Sequence, residues 1–180
     1  MTTADEVIKQ TSKWITEVVI GCNFCPFAAS VVKQKKVYYR VEDSVDPEIC
    51  LTSFTQEINR LDNDENIETS FLILYAATEK FDDYLDLVAT AERLLKQEGY
   101  EGIYQLASFH PLYCFADAEQ DDAANYTNRS PYPMLHLLRE ASIDKALQNY
   151  KDPDTIPGRN IDFARQKGLL YMKALRDACF

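Results

Sequence analysis

Glycine is scarce in this chain: five in 180 residues, with no glycine-rich run that could cradle a phosphate. That argues against the usual mononucleotide- and dinucleotide-binding folds, which use glycine to bring backbone close to phosphate. Basic residues are in deficit too, 19 Lys and Arg against 29 Asp and Glu, for a net charge of -10. Such a surface disfavours non-specific nucleic-acid binding and adsorption to anionic membranes, and any anionic ligand must be held by a local cluster working against the global field. No apolar run approaches the ~20 residues of a membrane-spanning helix, and the first residues lack a signal-peptide pattern. Five cysteines are an odd number at irregular spacing, which reads as a reduced, cytoplasmic protein rather than a disulfide framework. Histidine occurs only twice, at His110 and His136.

What is present reads as one α/β domain over residues 1–180. Thr3-x-x-Glu6 is a capping box, and Val7, Ile8, Thr11, Trp14, Ile15, Val18 and Val19 recur at helical spacing behind it, predicting a helix over 4–19. Pro26 predicts a short second helix with Cys25 at its cap. Val37 to Val41 reads as a strand. Asp46-Pro47 opens a helix whose inward positions are Cys50, Phe54, Ile58 and Leu61. The apolar run 71–76 reads as a strand covered on both faces, the spacing from Phe81 to Leu95 as a helix stopped by Gly99, and 103–109 as a third strand. Strands alternating with helices imply a small, mainly parallel sheet of about three strands wrapped by about six helices. A further helix is predicted over about 131–148, capped by Ser130 with Pro131 at its first position, and a C-terminal helical pair is broken at Gly168.

Polar chemistry concentrates in residues 125–140. Asn125, Thr127, Asn128, Arg129 and Ser130 would lie beside the free N–H groups of the predicted helix start, where a small anionic molecule is favoured, and Arg129 and Arg139 could fork onto a carboxylate or phosphate. On such a helix His136, Arg139 and Glu140 would share a face. The plainer reading is a surface loop with a good cap and a solvated helix face. Cys25 at a helix start would face the positive end of the helix dipole, which favours a thiolate; the plainer reading is a small, inert, buried cysteine. His110 follows a strand end, where ligands collect in open parallel sheets, so His110 or His136 could serve as a general base, or join Cys25 or Glu140 in an open metal site. The expectation is one shared cavity for Cys25, His110, Arg129 and His136. Cys22-x-x-Cys25 does not fit thioredoxin-like chemistry, because a helix rather than a strand precedes it, and with His110-x-x-x-Cys114 it has only a loose zinc-like spacing.

Asn125-Tyr-Thr-Asn-Arg-Ser-Pro-Tyr-Pro133 followed by His136-Leu-Leu-Arg-Glu140 resembles the signature of the domain of unknown function 1415 family. Gly21-Cys-Asn-Phe-Cys-Pro-Phe-Ala28 and Gln105-Leu-Ala-Ser-Phe-His-Pro-Leu-Tyr-Cys-Phe115 agree with it. The family pattern has leucine where this chain has Cys22 and leaves the position of Cys114 free, so neither is implied as a functional ligand. The resemblance brings no established activity with it and leaves any cofactor open. The residues themselves point to an enzyme acting on a small anionic metabolite through Cys25, His110 or His136, or else to a non-catalytic module for a small anion or a metal.

Overall fold

The computed structural model describes residues 2–76, 80–148 and 150–180. Helix α1 (Ala4–Trp14) begins at the capping box, with the Glu6 N–H donating to Thr3 Oγ1 at 3.3 Å and the Thr3 N–H to the Glu6 carboxylate at 2.8 Å. It continues into a wider π-helical turn, Ile15–Ile20. A short α2 (Ala28–Lys33) is capped by Phe27, not by Cys25, which lies in the turn before it. Next come β1 (Val37–Glu42) and α3 (Pro47–Asn63), the latter opened by Asp46 accepting from the Glu48 N–H at 2.9 Å. Its inward residues Cys50, Phe54, Ile58 and Leu61 are buried as the spacing requires. Strand β2 (Thr69–Leu74) is buried along its whole length, Leu72, Ile73 and Leu74 included. Helix α4 (Phe81–Gln97) ends before Gly99, whose φ of +80° is cheap only for glycine, and β3 (Tyr104–Phe109) follows.

The chief departure from expectation comes next. Residues 131–139 are not helical: Met134–Arg139 is a fourth strand, β4, inserted between β2 and β3. The order is β1-β2-β4-β3, with β1 parallel to β2 and β4 antiparallel to both of its neighbours. The sheet is therefore mixed and four-stranded rather than mainly parallel and three-stranded, with seven α-helices among the described residues. Two causes are physical. Pro133 disfavours the α conformation at Tyr132, which a helix starting at Pro131 would have needed. The run from Met134 to Leu138 is also covered on both faces, so it meets helical and strand patterns equally well. Without β4, the inner edge of β2 would leave backbone N–H and C=O groups unpaired in a dry core.

After β4 the chain enters α5 (Glu140–Leu147), then α6 (Ile156–Lys167) and α7 (Leu169–Asp177), separated by Gly168 at φ +84°. Helices cover both sheet faces. Leu72, Leu74, Leu135 and Leu137 pack against α3 and α4 on one side. Phe71, Ile73 and Met134 pack against α1, its π-helical turn, α6 and α7 on the other. Among the described residues no helix is long and apolar enough to cross a membrane.

Candidate functional site: an apolar cavity at His136

Strand alternation and register assemble this site. On the sheet face toward α1, Tyr39, Phe71, His136 and Ala107 form one cross-strand row, and Val37, Thr69, Leu138 and Gln105 form the next. Small Ala107 opposite His136 leaves room above the sheet. The result is a cavity of about 300 Å³ between these rows and a roof made by Trp14 and Ile15, the Cys25–Ala28 turn and α2, with Ile143 and Pro157 at one end. Among the described residues, no Asp, Glu, Lys or Arg lines it.

The polar side chains on the cavity floor are His136, Thr69 and Gln105. His136 Nε2 lies 2.5 Å from Thr69 Oγ1, and that oxygen is also 2.6 Å from the Leu137 carbonyl. Burial holds its pKa down at about 3, so the imidazole is neutral at ordinary pH. Cys25 shares the cavity wall, but burial pushes its thiol above the ordinary value, opposed by hydrogen bonds from the backbone N–H groups of Phe27 and Ala28. A neutral imidazole and a neutral thiol are weak catalysts as they stand and are good hydrogen-bonding partners for an uncharged molecule. Trp14, the single tryptophan, packs edge-on against Phe109 with centroids 5.1 Å apart. Its Nε1–H and the Thr11 hydroxyl one turn earlier are buried without a hydrogen-bond partner among the described residues.

The other sequence candidates lie elsewhere. His110 sits just beyond β3 on the α4 side, tilted against Tyr84 and Phe81, with Nδ1 accepting from the Leu112 N–H at 3.0 Å. Its backbone N–H donates to the Asn128 carbonyl. The 125–130 segment is a buried 3₁₀ turn and loop whose side chains are spent on nearby backbone. Arg129 donates to the carbonyls of Tyr113 and Gln120, both at 2.8 Å, and packs on the Tyr126 ring. Asn125 accepts from the Phe115 N–H and donates to the Glu119 carbonyl, Thr127 donates to Ala124, Asn128 to Ser108 and Ser130 to Tyr132. Arg139 bolts the end of α3 to the sheet through the carbonyls of Leu61, Asp64 and Ile67. With no helix at 131, the partial positive charge expected beside this loop has no source. Of the four side chains expected to share one cavity, Cys25 and His136 do so, while His110 and Arg129 are anchored elsewhere.

Sequence reasoning missed Thr69, Gln105 and Ala107. The available signal was period-two alternation: once Phe71 and His136 are placed on strands, residues two positions away face the same side. The zinc-like set Cys22, Cys25, His110 and Cys114 does not assemble; no group of three potential ligands converges among the described residues. Cys114 instead donates to the Ala118 carbonyl.

By architecture the chain is a mixed α/β protein, a four-stranded sheet with helices on both faces and a cavity on one of them. It belongs to the family described as protein of unknown function (DUF1415), whose model matches residues 6–174. No curated protein and no solved structure matches the chain.

Proposed function

We propose that this protein binds a small, largely apolar molecule in the cavity between the sheet and α1–α2. The observation that supports it is the composition of the wall: a half-open apolar cavity of about 300 Å³, with no charged side chain among the described residues and with a neutral imidazole and a thiol in it. An apolar pocket with a few convergent polar groups is the usual form of a small-molecule site. Thermal shift with 1-octanol as the probe tests this. The wild type should be stabilised, by roughly 2.7 kcal/mol at about 100 times the dissociation constant. Ala107→Phe, which fills the cavity from the sheet side, should lose the shift. Equal shifts in both proteins would refute the reading.

A second reading keeps the expectation of an enzyme acting on a small anionic metabolite. Two observations favour it: the Phe27 and Ala28 backbone N–H groups act to lower the Cys25 thiol's pKa against its burial, and Arg129 is buried with carbonyl rather than acidic partners among the described residues. On this reading sulfate, phosphate or a dicarboxylate raises the melting temperature, and Arg129→Ala abolishes the rise. The first reading expects no anion to act through Arg129, because its Nε and Nη2 groups are already held by the Tyr113 and Gln120 carbonyls.

A further inference from the structure

The hydrogen bonds of Thr69 determine which nitrogen of His136 carries the proton. A threonine hydroxyl has one hydrogen, and a carbonyl oxygen can only accept. Thr69 Oγ1 is 2.6 Å from the Leu137 carbonyl, so its hydrogen goes there. The contact of 2.5 Å between the same oxygen and His136 Nε2 must then be a bond donated by the imidazole. Neutral His136 is therefore the Nε2–H tautomer, and Nδ1 carries a bare lone pair.

No protein group among the described residues hydrogen-bonds that lone pair. Nor is Nδ1 among the buried polar atoms sealed off without a partner, which are Thr11 Oγ1 and Trp14 Nε1. His136 lies on β4 with strands on both sides and Phe71 stacked against its ring, so the space left to Nδ1 is the cavity. With no charged side chain in the wall, a carboxylate or ammonium would enter without compensation for its lost hydration.

We infer that the ligand of this cavity is a neutral molecule with an apolar body and an O–H or N–H group that donates to His136 Nδ1. This rests on the reading of the cavity as a binding site and specifies its chemical class: alcohols, phenols and amides rather than ethers, esters or carboxylates.

The test uses two isomers, 1-octanol and 1-methoxyheptane, and the octanoate anion at pH 7.5, each titrated against the full chain with Trp14 emission as the readout. Wild type should bind the alcohol several-fold to about tenfold better than the ether, the range of one net hydrogen bond. It should bind octanoate least. His136→Phe should keep the ether and lose most of the preference for the alcohol. Should that variant fail to fold, ¹⁵N spectra of the wild-type imidazole give the same information: Nε2 protonated, Nδ1 not, with Nδ1 moving on addition of 1-octanol. An alcohol-to-ether ratio unchanged in His136→Phe, a proton on Nδ1, or tightest binding by octanoate would overturn the inference while leaving the cavity a binding site. Failure of both isomers to bind would overturn the binding site itself.

Discussion

The His136 imidazole lies flat on the Phe71 ring, centroids 3.7 Å apart and planes 9° from parallel. Burial of this ring among apolar neighbours disfavours its charged form and holds the pKa down at about 3.

A pH dependence follows. Because the folded pKa lies below the ordinary value near 6.5, the unfolded chain binds the extra proton first as pH falls. Stability should be unaffected by His136 above about pH 6.5 and should decline steadily between there and about pH 3. By pH 5 the loss should reach ~2 kcal/mol. Urea melts of wild type and His136→Phe at pH 7.5 and pH 5 check this: the variant should lose less on acidification, and equal losses would place the proton uptake elsewhere.

Thr11 Oγ1 is buried on α1 and has no hydrogen-bond partner among the described residues. Replacing it with the isosteric valine removes a desolvated hydroxyl without opening a void. Thr11→Val should therefore stabilise the protein by ~1 kcal/mol in chemical denaturation. A loss of stability would mean that an ordered water satisfies the hydroxyl.

Arg129 holds the loop after β3 through a planar fork onto two carbonyls 2.8 Å away. Arg129→Ala should cost ~2–4 kcal/mol, and Arg129→Lys should recover only part of it, because an ammonium cannot reproduce the fork. A variant as stable as wild type would free this residue for ligand binding.

Much of the helical framework could be read from sequence because its signals were local. The Thr3–Glu6 box, Asp46-Pro47 and Gly168 each act within a few residues of their own position. The burial of Leu72, Ile73 and Leu74 was legible for a similar reason, since a continuous apolar run has no solvent face. Strand β4 was not, because Met134–Leu138 is covered on both faces and, beyond the local bar of Pro133, what favours a strand there is an unpaired edge on β2, far away in sequence. The site inherited that error. His136 placed on a helix shares a face with Arg139 and Glu140; on a strand it shares one with Met134 and Leu138, opposite Phe71 and Ala107. Cys25 and His136 were legible as chemistry, but their common cavity depends on which way a strand faces.

The double coverage of β2 and β4 gives a stability prediction. Leu72 and Leu135 are paired across these strands and packed under α3 and α4. Leu72→Ala should cost ~2–5 kcal/mol, with the same range for Leu135→Ala, as measured by denaturant midpoint at constant slope. Because the two residues touch, the double variant should cost less than the sum. Strict additivity would argue against their contact.

The cavity as a binding site is the central claim, and locating a bound probe tests it most directly. Intermolecular nuclear Overhauser contacts between 1-octanol and methyl- and aromatic-labelled protein report where the probe resides. The account predicts contacts from the alkyl chain to both the roof and the floor, Trp14 and Val31 together with Phe71 and Leu138. Contacts confined to exposed apolar residues such as Leu170, Tyr171 and Phe180, or none at all, would contradict it.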